Sequence, residues 1–188
     1  MKFNPLKLQL KNGKMVEIRE GRISDAEDLK YSLKVILGDM KYPPLEEDEI
    51  NLTIQQEIDW LRVSEKIPTS LNLIVTHENK IIGYLGIYGN NMNKTRHTAN
   101  ISISLAKQWQ HLGLGCMLME EGLKWAKENT ELKVIWLDVY SINNRALHLY
   151  RKLGFFEEGR IRDFVKLPDG YCNKVIMSLN LHYYISMR

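Results

Sequence analysis

Apolar and polar positions alternate over Leu6–Leu10 and again over Met15–Arg19, with Lys11-Asn12-Gly13-Lys14 between them. Period two marks strands, and Asn-Gly favours the positive φ angles of a tight turn, so the chain is expected to open on a β-hairpin. Ser24-Asp25-Ala26-Glu27 then reads as a capping box that starts a helix running to about Leu37. Gly38 and Pro43-Pro44 are expected to end it. After the acidic run Glu46-Glu47-Asp48-Glu49, helical spacing returns over Thr53–Glu65, with Ile54, Ile58, Leu61 and Trp60 on or near one face.

Strand patterns follow. Leu71–Thr76 and Lys80–Tyr88 flank the turn His77-Glu78-Asn79, and Thr98–Leu105 places Ile101, Ile103 and Leu105 on one face. From about Gly113 to Asn129 the period changes to 3.6, with Leu114, Leu118, Gly122, Trp125 and Ala126 on one side. Val134–Tyr140 is again a strand. Asn143 or Asn144 caps a short helix through Lys152, closed by Gly154. Phe155–Phe164 and Cys172–Leu181 read as a last hairpin across Pro168-Asp169-Gly170. The fold class is α+β, with a mixed, mostly antiparallel sheet flanked by helices. Strand–helix–strand over 98–140 supplies one parallel, right-handed crossover.

Composition narrows the classes. The 188 residues suit one globular domain spanning 1–188, and 44% hydrophobic with 26% charged residues is the balance of a soluble protein. No apolar run approaches the roughly 20 residues of a membrane helix. Met1-Lys2-Phe3-Asn4-Pro5 lacks the apolar core of a secretory signal. Two cysteines, Cys116 and Cys172, without metal-ligand spacing fit a reducing, cytoplasmic setting and point to no metal site. A net charge of +3 without a Lys/Arg block argues against nucleic acid as a partner.

The chemistry concentrates in Gln110-His111-Leu112-Gly113-Leu114-Gly115, between a strand and a helix. Small residues there allow close backbone approach, and a helix N-terminus offers unpaired N–H groups to a diphosphate. The dinucleotide pattern G-x-G-x-x-G fails at Leu118, and the P-loop Gly-Lys-Ser/Thr is absent. About 25 residues on comes Asn143-x-x-Ala146-x-x-Leu149-Tyr150-x-x-Leu153-Gly154-Phe155. Gln110-x-x-Gly113-x-Gly115 resembles the acetyl-CoA signature of the Gcn5-related N-acetyltransferases (GNAT), and the second stretch resembles that family's second signature. The resemblance is close over 98–156 and looser over 16–180. It implies the acyl-CoA N-acyltransferase fold, here with an extra N-terminal hairpin.

The resemblance also implies roles. Backbone amides of Gln110, His111, Leu112, Gly113, Leu114 and Gly115 would cradle the diphosphate of acetyl-CoA, the cosubstrate. The strand before the loop would splay from the next one and leave a gap for the pantetheine arm, beside Ile103, Ser104 and Leu105. The Leu105 N–H would face the thioester carbonyl. Asn143 would touch the pantetheine arm or cap its helix, and Tyr150 would protonate the departing thiolate. An alkyl amine of pKa about 10.4 is only about 0.1% neutral near pH 7.4, at a cost of roughly 4 kcal/mol. A carboxylate that takes the proton is therefore useful. Many members place a glutamate early in the strand before the loop; here Asn100 stands at that place, and Asp138 on the next strand is the candidate base. The expected acceptor is a small amine, polyamine or amino-acid-like. The alternatives are a protein N-terminal acetyltransferase and a non-catalytic module that binds CoA or an amine. A homodimer is left open. His111 is expected exposed in the loop, Cys116 packed, the acidic run 46–49 solvated, and Trp60, Trp125 and Trp136 in the core.

Overall fold

The computed structural model describes residues 2–39, 43 and 53–185. Pro44 and the acidic run 46–49 lie outside them. One sheet is built from β1 (Leu6–Gln9), β2 (Met15–Glu20), β3 (Leu71–His77), β4 (Lys80–Gly89), β5 (Thr98–Leu105), β6 (Val134–Tyr140), β7 (Phe156–Leu167) and β8 (Gly170–Asn180). Their spatial order is β1-β2-β3-β4-β5-β6-β8-β7. Neighbours are antiparallel except β5 and β6, the expected parallel pair. The helices are α1 (Ala26–Gly38), α2 (Ile54–Lys66), α3 (Leu114–Asn129) and α4 (Asn144–Lys152). No helix among the described residues is long and apolar enough to cross a membrane.

Strand alternation sorts the core into two. Leu85 and Ile87 of β4, Ile101 and Leu105 of β5 and Ile135, Leu137 and Val139 of β6 face Leu114, Leu118 and Leu123 of α3. Burying each such side chain contributes about 1.5–3 kcal/mol. The intervening positions face the other way: Ile74 and Ile81 join Ala26, Leu29 and Leu33 of α1 and Leu61 of α2 in a smaller cluster. One face of the sheet thus carries α3 and α4, and the other α1 and α2.

Several local expectations are revised. The first hairpin does not close on a two-residue Asn-Gly turn. Leu10 turns inward to be buried, so the loop lengthens, closed by Leu10 N–H to Lys14 O and Gly13 N–H to Leu10 O at 2.9 Å each. Gly13 alone of that loop takes a positive φ, +81°. The Ser24 capping box is replaced by a 3-10 turn, Ile23–Asp25. The Asp25 carboxylate accepts from the Arg22 N–H at 2.7 Å and from two Arg19 nitrogens at 2.8 Å, because Arg19 projects from β2 onto this face. Gly38 is the last residue of α1 rather than a left-handed stop. α2 does begin with a reciprocal cap: Thr53 N–H donates to Gln56 Oε1 at 2.7 Å, and Gln56 N–H to Thr53 Oγ1 at 3.2 Å. Its buried stripe is Glu57, Leu61 and Ser64, while Ile54 is exposed. The last hairpin turns on Pro168-Asp169 alone, with β7 running on to Leu167. Trp125 is buried as expected, but Trp136 is exposed, since its even position on β6 turns it away from α3.

Candidate active site

After β5 the chain makes a 3-10 turn, Lys107–Trp109, anchored by the buried Trp109 ring. Gln110 then folds back, and its Nε2 donates to the Leu105 carbonyl at 3.0 Å. His111 (φ +63°) and Gly113 (φ +82°) are left-handed, which swings the chain into α3 at Leu114. The Leu112 and Leu114 side chains pack against the core. What this stretch offers a ligand is therefore backbone. The first N–H groups of α3 lack intrahelical partners and carry the positive end of the helix dipole, a setting that suits a diphosphate. A Cβ at Gly115 would meet Leu105 Cδ1 at 3.5 Å and Leu149 Cδ2 at 3.9 Å. Arg145, in the first turn of α4, donates to Gln110 Oε1 at 2.7 Å and stands 3.1 Å from His111 Nε2. Its burial against the loop lowers its pKa from the usual arginine value.

Strands β5 and β6 form a fork. They pair at Thr98↔Val134, Ala99↔Ile135 and Asn100↔Trp136, and no further. β5 continues to Leu105 and β6 to Tyr140. Asn100 Nδ2 donates to the Trp136 carbonyl at 3.2 Å, at the fork's apex. Antiparallel pairs alternate between bonded and unbonded. Asn90 N–H to Thr98 O at 3.2 Å and Ala106 N–H to Ile82 O at 2.9 Å put the even residues of β5 on the bonded side toward β4. The N–H groups of Ile103 and Leu105 accordingly point across the gap toward β6, while that of Ile101 belongs to the last pair, Asn100↔Trp136. Of the three candidates on this strand, Ile103 and Leu105 present backbone to the gap. Ser104 bonds toward β4, and its buried side chain turns to the α1/α2 face, against the Tyr84 hydroxyl.

Tyr150 lies inside α4 with its ring 5.9 Å from Phe155. Burial pushes its hydroxyl up to about 12, with the negative charge of Asp138 adding to the shift. Asp138 sits on β6 beyond the fork's apex, on the α1/α2 face, and Lys174 Nζ of β8 pairs with it at 3.0 Å. Asn143 caps α4, its Oδ1 accepting from the Ala146 N–H at 3.2 Å.

The α1/α2 face of β4 and β5 is polar and aromatic. The Tyr88 hydroxyl lies 3.3 Å from Ser102 Oγ and folds over Gly86, where a Cβ would come within 1.9 Å of it. Trp60 of α2 leans on Tyr84 and Tyr88, with ring centroids 6.2 and 6.1 Å apart. Burial raises both phenol pKa values, and the charge of Glu57 adds to each shift. Glu57 is 3% exposed, and its Oε1 has no hydrogen-bond partner among the described residues. Burial raises its carboxyl pKa, with Lys30 of α1 acting in the opposite direction.

The fold that carries this loop and forked pair is one that comparison with known proteins identifies. A family model, the acetyltransferase (GNAT) family, matches residues 34–155. The chain belongs to the acetyltransferase (GNAT) family. Its fold is that of a GNAT-family acetyltransferase from Streptococcus pneumoniae, with a TM-score of 0.83 and 27% identity over 88% of this chain and 99% of that one. The chain is also 34% identical over 64 residues to an N-alpha-acetyltransferase of Sulfurisphaera tokodaii, covering 34% of this chain and 38% of the relative. It is 26% identical over 95 residues to a spermidine N(1)-acetyltransferase of Escherichia coli, covering 50% and 51%. The chain thus spans about half or less of the curated relatives it matches.

Two residues of this GNAT chain's candidate site carry no motif signal. Arg145 occupies a spacer position of the second signature, and only the fold brings it against Gln110. Glu57 does leave a trace: a charged residue at the spacing of Leu61 and Ser64 interrupts a buried helical stripe. Choosing Ile54 for that stripe hid it.

Proposed function

We propose that the protein transfers the acetyl group of acetyl-CoA to a primary amine by direct attack in a ternary complex, and that 1–188 acts as a single N-acetyltransferase domain. The observation that carries this reading is the fork. β5 has a free backbone edge over Ile103 and Leu105, and it leads into a loop and helix start that expose N–H donors. An extended thioester cosubstrate needs that sequence of donors, first along its arm and then at its diphosphate. In this reading the amides of Gln110 through Gly115 hold the diphosphate, and Arg145 adds positive charge beside them. The Leu105 N–H polarises the thioester carbonyl and stabilises the oxyanion that forms on attack.

Tyr150 donates to the sulfur as the C–S bond breaks. A phenol near 12 stays protonated at neutral pH. Compared with a thiol near 8.5, full transfer is uphill by roughly 5 kcal/mol. Tyr150 therefore acts first as a hydrogen-bond donor, and yields its proton as thiolate charge builds in the buried site. The amine's own proton needs a carboxylate on the acceptor side. Asp138 is one, and it is already paired with Lys174 Nζ at 3.0 Å.

The acceptor we favour is a small amine, polyamine or amino-acid-like, supported by the similarity to the spermidine acetyltransferase. The second reading, a protein N-terminal amine, is supported by the similarity to the N-alpha-acetyltransferase. Acetyl-CoA consumption with spermidine, alaninamide and an N-terminal tripeptide tests both. Release of CoA thiol with spermidine or alaninamide but not the peptide is the expected result, and the reverse pattern selects the second reading. No thiol release with any of the three, together with no acetyl-CoA binding by calorimetry, rejects acetyl transfer.

A further inference from the structure

We infer that Glu57 is the carboxylate that meets the acceptor's ammonium group and takes a proton from it. This rests on the acetyl-transfer reading above and adds to it a residue on α2, outside both motifs.

The first ground is a contrast inside the molecule. Asp25 shows what a structural carboxylate looks like on this face: three hydrogen bonds, two from Arg19 and one from the Arg22 N–H. Glu57 is more deeply buried, yet among the described residues Oε1 has no hydrogen-bond partner, and Lys30 acts on it only at a distance. A buried carboxylate oxygen without a donor is costly and uncommon. An alkylammonium would supply the missing donors and the opposite charge.

The second ground is position. Glu57 stands in the first turn of α2, above the tyrosines of β4. Adjacent strands are about 4.8 Å apart, so β4 is one strand from β5 and the fork. Around Glu57 stand Trp60, Tyr84 and Tyr88, whose ring faces suit a cation and its methylenes. Ser102 and Ser104, bonded to the two tyrosines, line the side of β5 opposite α3. The charged and titratable groups that reach Glu57 are Lys30 on α1 and Tyr84 and Tyr88 on β4.

The third ground is that the two other acceptor-side candidates among the described residues are occupied. Asn100 donates to the Trp136 carbonyl and is no base, and Asp138 holds Lys174. Burial has moved the Glu57 carboxyl toward the range where a base is effective at neutral pH.

The step balances. The ammonium N–H bond breaks and a proton passes to Glu57. The freed lone pair forms the C–N bond at the thioester carbon. The C–S bond breaks, and sulfur leaves with the electron pair. The nitrogen's second surplus proton reaches sulfur by way of Tyr150 and solvent, and Glu57 returns its proton to solvent.

Wild type, Glu57→Gln and Asp138→Asn are to be compared with spermidine, alaninamide and the tripeptide from pH 6 to 10, with acetyl-CoA affinity measured by calorimetry. Glu57→Gln is expected to lower kcat/KM for the amine by about 10²-fold at pH 7 and to leave acetyl-CoA affinity unchanged. The loss should shrink toward pH 10, where roughly a quarter of an amine of pKa about 10.4 arrives neutral, against about 0.1% near pH 7.4. Asp138→Asn should lose less. Glu57→Asp, which keeps the charge on a shorter arm, should raise KM for the amine and retain the wild-type pH limb; it also serves if the Gln variant folds poorly. Wild-type kinetics in Glu57→Gln, or an acidic limb lost only in Asp138→Asn, overturns the inference and leaves acetyl transfer standing. A wild type that binds no acetyl-CoA and acetylates none of the three amines removes both.

Discussion

Gly115 separates binding from folding better than any other position in the loop. An alanine methyl there would make ordinary contacts, 3.5 Å to Leu105 and 3.9 Å to Leu149, whereas at Gly113 the φ of +82° would strain any side chain. Gly115→Ala should therefore keep its melting temperature and still crowd a diphosphate lying on the helix start. Acetyl-CoA binding about tenfold weaker by calorimetry, near 1.4 kcal/mol, is the expected outcome; unchanged affinity would remove the loop amides from the site. Tyr150 makes a different demand. Burial raises the pKa of its hydroxyl to about 12, so in the proposed mechanism it acts only when thiolate charge appears. Tyr150→Phe should lower kcat by about 10²-fold, the low end for general acid catalysis, with little change in KM for acetyl-CoA. Steady-state kinetics with the amine saturating reads this directly, and wild-type turnover would reduce Tyr150 to packing.

At the scale of elements, α4 has to hold Tyr150 beside the fork, and its first turn depends on Asn143. The side chain's bond to the Ala146 N–H makes it a cap, which leaves its other expected role, a contact with the pantetheine arm, open to experiment. Asn143→Ala should cost about 1 kcal/mol of stability and Asn143→Ser much less, since serine caps well. If the serine variant melts like wild type but binds acetyl-CoA less tightly, Asn143 also touches the cosubstrate; if both properties are kept, it is a cap alone. The elements themselves were legible wherever a period and a punctuating residue agreed. Thr98–Leu105, Val134–Tyr140 and the capped helix after Asn143 stand where the pattern puts them. The misreadings arise where a partner outside the element outbids the local signal. Arg19 draws Asp25 out of the Ser24 capping box, and burial of Leu10 lengthens the Asn-Gly turn. On α2, a carboxylate in the buried stripe made the apolar Ile54 look like the inward residue. Periodicity within one element carries no information on such pairings, because each partner lies outside the element being read.

Across the whole molecule, the sheet separates two sites. The loop, Gly115 and Tyr150 lie on or beside the α3/α4 face, while Glu57, Trp60, Tyr84, Tyr88 and Asp138 lie on the other. The fork is the one place where β5 and β6 part, so the two faces communicate where β5's backbone is unpaired with β6. Both signatures lie on the face proposed for the cosubstrate, whereas the face proposed for the acceptor is assembled from α2, β4 and β5 without a motif, so the sequence signatures point to one face and not the other. The separation has an energetic consequence. Substitutions that share no partner and lie more than about 7–10 Å apart add to within roughly 0.5 kcal/mol, or about twofold. In the proposed reading, Gly115→Ala acts on the cosubstrate and Glu57→Gln on the acceptor, from opposite faces of the sheet. For the double variant, the fall in kcat divided by the product of both Michaelis constants should equal the product of the single falls to within about twofold. Bisubstrate kinetics on the four proteins measures this. A coupling above tenfold would mean that the two residues bias a common structural element, such as the width of the fork. In that case the sheet would act as a hinge between the substrates rather than as a partition.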